Sequence, residues 1–121
     1  MVGTVSSVDV TTLAHAFANA DEVDAKLASA VLLDVREPWE FAMARIARSV
    51  NIPMSTLVAR IDEVHALRPS ADIPIVLICH HGIRSMQCAR YLASQGVEPL
   101  INLTGGIDAW STRVDPAVPA Y

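Results

Sequence analysis

The feature that most constrains the fold of this chain is an apolar, β-branched stretch at residues 73–78 that runs directly into a loop at residues 79–85. A helical pattern begins near Ser85. The sequence therefore predicts a buried strand, a tight loop with Cys79 at its mouth, and a helix N-terminus. Loop amides and the positive end of a helix both attract negative charge, so we expect an anion-binding cradle. The same field stabilises a thiolate, and Cys79 is expected to be a reactive nucleophile.

Strand and helix patterns alternate along the rest of the chain. Strands are predicted at residues 5–10, 30–35, 50–52, 73–78 and 99–103. Helices are predicted at residues 11–19 with Thr11 or Thr12 as the cap, at 39–44, at 55–67 with Ser55 as the cap, at 85–95 and after 106. Residues 21–28 are interpreted as a short helix or a helical loop. This alternation predicts an α/β fold with an open, mostly parallel, five-stranded sheet flanked by helices on both faces.

Length and composition limit the class of protein. A chain of 121 residues with 52% hydrophobic residues is expected to form one domain, 1–121, with residues 114–121 as an extended tail over the surface. A net charge of -4 indicates no nucleic acid and no membrane as partner. No segment has the roughly 20 apolar residues of a membrane span, and the first residues show no signal-peptide pattern. Two cysteines do not make a disulfide framework, so a reducing, cytoplasmic setting is expected.

Two polar residues are predicted to lie at the same sheet edge as Cys79. Ligand sites of open parallel sheets lie at the carboxyl ends of the strands, and Asp34 and Arg36 end one predicted strand as Cys79 ends another. Arg36 is expected to be free to meet an anion, or else to pair with Glu40. Asp34 is expected to hold loop amides or Arg84. Both are therefore candidates for binding the substrate or bracing the loop.

The loop residues have candidate roles of their own. His80 and His81 are expected to line the mouth and add positive charge near an anion, and they either take part in the chemistry or only shape the rim. Consecutive histidines in a tight loop do not readily face one ion, so no metal site is predicted. Gly82 is expected to adopt a positive φ that lets amides converge. Arg84 either binds the substrate's oxygens or braces the loop through a carboxylate, and its place at the loop's end favours bracing. Ser85 is expected to cap the helix and to donate to the sulfur.

The second cysteine is expected to be structural. Cys88 shares a helical stripe with Leu92 and lies near Ala89 in the sequence, which indicates core packing. A resolving role would need its Cα within roughly 7 Å of the Cα of Cys79, and a loop followed by a helix disfavours that distance.

Several motifs of the chain stand in a characteristic order and spacing. They are Leu33-Asp34-Val35-Arg36-Glu37, Glu40-Phe41, Asn51-Ile52-Pro53, the loop Cys79-His80-His81-Gly82-Ile83-Arg84-Ser85, Asn102-Leu103-Thr104-Gly105-Gly106, and Trp110. With these motifs the chain resembles the rhodanese-like domain family. The resemblance implies the rhodanese-like fold, Cys79 as the catalytic residue that carries a persulfide, and the residues from His80 to Ser85 as the active-site loop. The chain departs from the family at Ala44-Arg45-Ile46, where Gly-His-Ile is usual, and at Arg48-Ser49, where Gly-Ala is usual.

The cradle and the resemblance together predict a sulfurtransferase without a cofactor. The Cys79 thiolate would take sulfur from a small donor such as thiosulfate, and cyanide or a thiol would accept it. A persulfide carrier or interaction module for a protein sulfur acceptor needs the same cradle and stays an alternative. A phosphatase or arsenate reductase is disfavoured, because such loops place five residues between cysteine and arginine. Here four residues separate Cys79 from Arg84, and the smaller ring suits a single sulfur atom.

Overall fold

A five-stranded parallel sheet lies at the centre of the computed structural model, which describes residues 4–19 and 25–121. Its strands are β1 (Val5–Val8), β2 (Val31–Asp34), β3 (Val50–Asn51), β4 (Ile75–Ile78) and β5 (Leu100–Leu103). Their order across the sheet is β1-β5-β4-β2-β3, and every neighbouring pair is parallel. The predicted open, parallel α/β sheet is therefore confirmed.

Helices pack on both faces of this sheet. Within the described residues they are α1 (Val10–Ala18), α2 (Ala25–Ala28), α3 (Pro38–Met43), α4 (Met54–Leu57), α5 (Ile61–Ala66), α6 (Ile83–Ser94) and α7 (Gly106–Arg113). Successive residues of a strand point to opposite faces, so Val76 and Ile78 belong to one buried cluster while Leu77 and Cys79 belong to the other. The alternation of β4 thus directs Cys79 toward the face that α6 covers. No helix in the described part of the chain is long and apolar enough to cross a membrane.

The helix caps predicted for α1 and α4 were wrong. Helix α1 begins at Val10 because the carboxylate of Asp9 accepts the N–H of Thr12 at 2.7 Å, so neither Thr11 nor Thr12 is the cap. Ser55 lies inside α4, and its hydroxyl donates to the carboxylate of Glu37 at 3.1 Å. Of the predicted segment 21–28, residues 25–28 form α2, and residues 21–24 lie outside the described residues.

The predicted helix at residues 55–67 is two helices, α4 and α5, separated by a turn at residues 58–60. Leu57 before the turn and Val64 after it are both buried in the same cluster. The turn redirects the chain so that both apolar side chains reach the core, and this burial outweighs the continuous helical pattern of the sequence.

Residues 114–121 do not run extended over the surface as predicted. A turn forms where the N–H of Val118 donates to the carbonyl of Asp115 at 3.1 Å, and the Ser111 hydroxyl donates to the Val118 carbonyl at 2.5 Å. Val118 is buried, and Tyr121 packs against the same apolar cluster. The gain from burying these two side chains explains why the segment folds back.

Arg48 stands where the resembled family usually has glycine, and it adopts a left-handed conformation with a φ of 65°. Its guanidinium donates to the carbonyls of Ala28 and Ala30 at 3.2 and 2.8 Å and lies 4.4 Å from the centre of the Phe17 ring. These contacts hold a residue other than glycine in a conformation that L-residues disfavour. Nearby, the Arg45 guanidinium lies 4.9 Å from the centre of the Phe41 ring.

The carboxyl ends of β2 and β4 lie side by side, with Asp34 opposite Ile78. Strand β5 ends at the same edge, since Leu77 of β4 pairs with Asn102. The residues that follow these strands therefore converge, as the sequence predicts for Asp34, Arg36 and Cys79.

Candidate active site

Cys79 follows β4 directly, and its side chain is buried in the loop before α6. Its sulfur accepts the N–H of Gly82 at 3.0 Å, and its thiol donates to the Ser85 hydroxyl at 3.2 Å. Gly82 has a φ of 107°, a left-handed conformation that glycine adopts without steric cost. The positive φ expected for Gly82 is therefore present, and the loop turns around the sulfur.

The N-terminus of α6 adds a positive electrostatic field at the Cys79 sulfur. Helix α6 begins at Ile83, so the N–H groups of Ile83, Arg84 and Ser85 have no acceptor inside the helix. Unpaired N–H groups and the helix dipole both favour a negative charge near the start of a helix. The loop can therefore hold a thiolate or the charge of a sulfur species bound to Cys79.

Ser85 is not the helix cap that the sequence predicts. The left-handed Gly82 is the N-cap, and Ser85 is the third residue of α6 and completely buried. The prediction that its hydroxyl donates to the sulfur was also wrong, because the hydroxyl accepts from the Cys79 thiol and donates to Oδ1 of Asn102 at 2.5 Å. Nδ2 of Asn102 donates to the carbonyl of Gly82 at 3.1 Å. Asn102 thus connects the hydroxyl beside the sulfur with the loop backbone. This role of Asn102 was not predicted, although a polar residue near the end of the apolar strand β5 is a signal for it.

Helix α7 holds the other side of the loop. The N–H groups of Ile107 and Asp108 donate to the carbonyls of Cys79 and His80 at 2.9 and 3.1 Å. A Cβ atom on Gly106 would lie 2.4 Å from the Cys79 carbonyl oxygen and 2.5 Å from that of His80. The lack of a side chain at Gly106 therefore allows α7 to approach the backbone beside the sulfur.

Arg84 is held by a carboxylate, and that carboxylate belongs to Glu40 and not to Asp34. The guanidinium makes two hydrogen bonds to the Glu40 carboxylate, at 2.7 and 2.8 Å. The bond from Arg84, more than any other contact, lowers the pKa of Glu40 to about 2, and the pair raises the pKa of Arg84. Glu40 also accepts the N–H of Glu37 at the start of α3. The pair joins α6 to α3, which is the bracing geometry that the sequence favours for Arg84.

Arg36 is completely buried, so the expectation that it is free to meet an anion was wrong. Its Nε and Nη2 bind the Asp34 carboxylate at 3.0 and 2.7 Å, and Nη2 also donates to the Ala44 carbonyl at 2.5 Å. Its Nη1 donates to the Glu40 carbonyl at 3.3 Å and to the Tyr121 hydroxyl at 2.8 Å. Asp34 therefore binds Arg36 and not the loop, because a buried guanidinium needs a carboxylate and carbonyls around it.

The two loop histidines have different surroundings. The His80 ring stacks on Tyr121 with 4.1 Å between centroids and an angle of 8°, and it lies 4.0 Å from the His81 ring. Burial, more than the neighbouring His81, lowers the pKa of His80, so its neutral form is favoured. His81 is exposed, with Nδ1 3.8 Å from a carboxylate oxygen of Asp108. The positive charge expected from both side chains is therefore disfavoured at His80.

The remaining residues predicted near the site lie at its margin. Ile83 is exposed at the start of α6. Cys88 is buried in the core, and burial raises the pKa of its thiol to about 11, which confirms the predicted packing role. Among the described residues no group of three or more His, Cys, Asp or Glu side chains is placed to hold a metal ion.

Similarity to known proteins covers this site. The model of the rhodanese-like domain family matches residues 19–113. A sulfurtransferase of Allochromatium vinosum is 32% identical over 114 residues, which are 94% of this chain and 95% of that protein. The rhodanese-like/PpiC domain-containing protein 12, chloroplastic, of Arabidopsis thaliana is 39% identical over 93 residues, 76% of this chain; the aligned region spans 30% of the plant protein. The crystal structure of a rhodanese-related protein from Thermoplasma volcanium has a TM-score of 0.69 and 28% identity, covering 94% of this chain and 95% of that one.

The region of similarity includes every element that forms the candidate active site. The matched region contains the sheet from β2 to β5, the loop that surrounds the Cys79 sulfur, and helix α7 behind it. The bacterial relative aligns with nearly the whole of both chains and is a sulfurtransferase. Fold, loop and sequence thus agree, and the chain belongs to the rhodanese-like domain family.

Proposed function

We propose that this chain is a thiosulfate sulfurtransferase that carries sulfane sulfur as a persulfide on Cys79. The observation that carries the proposal is the position of the sulfur, which the Gly82 N–H and the Ser85 hydroxyl both contact at the N-terminus of α6. Membership of a sulfur-transfer family supports it. The proposed donor is thiosulfate, and the acceptor is cyanide or a cellular thiol. Reducing conditions, as in the cytoplasm, keep both cysteines as thiols.

In the first half-reaction the Cys79 thiolate attacks the outer sulfur of thiosulfate. A sulfur–sulfur bond forms to Cys79, the sulfur–sulfur bond of thiosulfate breaks, and sulfite leaves with that electron pair. Negative charge on the transferred sulfur then lies beside Sγ of Cys79, which the Gly82 N–H contacts at the N-terminus of α6. This preorganised donor stabilises the charge as an oxyanion hole does.

In the second half-reaction the acceptor attacks the outer sulfur of the persulfide. The bond to the acceptor forms, the bond to Cys79 breaks, and Cys79 regains its electron pair as a thiolate. Cyanide gives thiocyanate and a thiol gives a persulfide. Two separate half-reactions predict ping-pong kinetics.

A second candidate is a carrier that passes the sulfur to a protein acceptor. Two exposed apolar side chains near the loop favour it. Ile83 at the start of α6 is 72% exposed and Trp39 is 61% exposed. Trp39 packs edge-on against the Tyr121 ring, which itself stacks on His80. Comparing thiosulfate:cyanide turnover with transfer to cellular thiols and to candidate protein acceptors separates the two functions.

The test combines mass spectrometry with turnover. After incubation with thiosulfate, the peptide that contains Cys79 should gain one sulfur atom and lose it again on addition of cyanide. Cys79→Ser should lower turnover by at least about a hundredfold, because a covalent nucleophile is lost. Cys88→Ala is the matched control and should keep its activity, since Cys88 lies in the core. Retention of more than about a hundredth of the activity by Cys79→Ser would refute the proposal.

A further inference from the structure

Tyr121 lies outside the region, residues 19–113, that matches the family model, yet its side chain reaches the active-site loop. We propose that Tyr121 is a positioning residue for this loop: its ring holds His80, and its hydroxyl links the Glu40–Arg84 pair to buried Arg36. The inference rests on the proposed function of Cys79 and assigns a role to a residue that no motif of the sequence marks.

The ring of Tyr121 restrains the residue next to the nucleophile. It stacks almost parallel on the His80 ring, with 4.1 Å between centroids and an angle of 8°. The carbonyl of His80 is held by the N–H of Asp108 at 3.1 Å. Both the side chain and the backbone of His80 are therefore fixed, and a rotation at His80 would shift the chain that follows the Cys79 sulfur.

The hydroxyl of Tyr121 connects two ion pairs. It donates to Oε2 of Glu40 at 2.7 Å and accepts from Nη1 of Arg36 at 2.8 Å. The same Oε2 accepts Nη2 of Arg84 at 2.8 Å. Arg36 in turn binds Asp34 at the end of β2. The Tyr121 hydroxyl therefore connects Arg36, at the edge of the sheet, with Glu40 on α3. Through Glu40 it also connects with Arg84, at the N-terminus of α6.

The electrostatic surroundings of His80 give a readout that does not depend on sulfur transfer. The titratable groups that act on it are His81 in the loop, Asp108 of α7 and Glu40 of α3, and a backbone hydrogen bond with Tyr121 also raises its pKa. Burial is the main cause of its lowered pKa, while Asp108 and Glu40 raise it. Because the stacked Tyr121 ring covers the imidazole, its removal should expose His80 to water and raise the pKa of His80.

The experiment compares Tyr121→Phe, Tyr121→Ala and the control Tyr91→Phe in the full chain. Tyr91 lies on α6 in an apolar groove with Met54 and Leu57, apart from the loop. Tyr121→Ala should lower kcat for thiosulfate about tenfold and change KM less, since loop amides act on charge in the transition state. Tyr121→Phe keeps the ring and removes only the hydroxyl link, so it should lower kcat by about threefold, less than Tyr121→Ala, and Tyr91→Phe should match the wild type. The NMR titration midpoint of His80 should rise in Tyr121→Ala and not in Tyr121→Phe.

A double-mutant cycle decides whether Tyr121 acts through His80. In the His80→Ala background, Tyr121→Ala should cost less than about threefold in kcat, because the partner ring is already absent. The proposal would be overturned if the losses of kcat in His80→Ala and Tyr121→Ala were additive in the double variant. It would also be overturned if kcat of Tyr121→Ala were within about twofold of the wild type. If Tyr121→Ala does not fold, Tyr121→Leu keeps apolar bulk without a flat ring and carries the same prediction.

The two proposals fail in different ways. A wild-type protein that neither gains sulfur on Cys79 nor turns over thiosulfate refutes the proposed function. An unchanged His80 titration in folded Tyr121→Ala or Tyr121→Leu overturns the role of Tyr121 by itself, whatever reaction the loop catalyses.

Discussion

At the scale of single residues, the environment of the Cys79 sulfur depends on side chains far apart in the chain. Ser85 on α6 contacts the sulfur, and Asn102 on β5 holds Ser85. Glu40 on α3 holds Arg84, which ends the loop. Each of these partners is buried, so each contact acts with little screening by water.

Ser85→Ala tests the hydroxyl beside the sulfur. It removes the 3.2 Å contact to Sγ and leaves Oδ1 of Asn102 without its donor. When Cys79 ionises it no longer donates to Ser85, and the hydroxyl is then able to turn from Oδ1 of Asn102 and donate to the thiolate. A hydrogen bond to a charged group contributes about 1.5–3 kcal/mol, so sulfur transfer should fall about ten- to a hundredfold. Steady-state turnover of thiosulfate measures the effect. Ser94→Ala, at the exposed end of the same helix, is the control and should leave turnover unchanged. Equal activity of the two variants would show that the Ser85 hydroxyl does not act on the sulfur.

Glu40→Gln tests the carboxylate that holds Arg84. The pKa of Glu40 lies at about 2 in the folded protein, below the usual 4.5, chiefly through the Arg84 hydrogen bond. A folded-state pKa below the unfolded one means that the ionised carboxylate stabilises the fold above about pH 4.5, and that this contribution is lost as the pH falls toward 2. The variant should lose on the order of 2 kcal/mol at neutral pH, measured by urea unfolding. The difference from the wild type should shrink as the pH is lowered through that window.

Glu63→Gln is the matched control for this prediction. Glu63 also pairs with an arginine, Arg60, at 2.7 Å, and the Arg60 side chain is as exposed as that of Arg84, but the Glu63 side chain is 55% exposed whereas that of Glu40 is 6% exposed. Exposed pairs are screened by water, so its effect on stability should be much smaller than that of Glu40→Gln. Equal losses in both variants would contradict a special contribution of the buried Glu40 carboxylate in its pair with Arg84.

At the scale of elements, the loop after β4 is shaped by the N-termini of two helices. Helix α6 begins at the loop's own end, and α7 directs its first N–H groups at the carbonyls of Cys79 and His80. The Gly82 N–H at the start of α6 thus contacts the sulfur, while amides of α7 fix the backbone behind it. The approach of α7 depends on Gly106, because a Cβ there would meet both carbonyls.

Gly106→Ala tests this approach. Gly106 has a φ of +57°, and its Cβ would lie 2.4 Å from the Cys79 carbonyl oxygen. Gly96→Ala is the matched control, since Gly96 has a φ of +81° with no atom within 4 Å of a Cβ. Both substitutions incur left-handed strain of about 1 kcal/mol. Only Gly106→Ala should displace the loop and lower thiosulfate turnover, by about tenfold or more. A Gly106→Ala enzyme as active as Gly96→Ala would show that the loop does not depend on this close approach.

At the scale of the whole molecule, the buried pair Asp34–Arg36 ties together parts that are distant in sequence. The guanidinium binds the end of β2, the carbonyls of Glu40 and Ala44 around α3, and the hydroxyl of Tyr121. A buried cation with this many acceptors holds its partners only while its carboxylate is present.

Asp34→Asn should therefore destabilise the whole fold. It leaves the buried Arg36 charge without its counter-ion, which typically costs about 3–5 kcal/mol in the free energy of unfolding. Thermal and urea unfolding measure the loss. Asp72→Asn, which breaks the exposed 4.0 Å pair with Lys26, is the control and should have a much smaller effect. If the two variants were equally stable, the buried pair would not organise this edge of the sheet.

The sequence by itself determined the class of fold and the place of Cys79, the proposed nucleophile. Apolar strands alternating with amphipathic helices predict a parallel sheet, and this pattern is local to each segment. A cysteine between a buried strand and a helix start needs no tertiary information to be placed at the sheet edge, because the ends of parallel strands coincide. The positive φ of Gly82 follows equally from the tight turn between β4 and α6.

Only the tertiary structure decided which polar side chains meet. Arg36 binds Asp34 and not an anion, Arg84 binds Glu40 from another helix, and Tyr121 folds back onto His80. The partner of each side chain depends on which groups the packing of the fold brings within hydrogen-bond distance. The sequence contains several other carboxylates that could have paired with each arginine. A buried charge must find a partner wherever the fold provides one, and a local pattern does not show where that is.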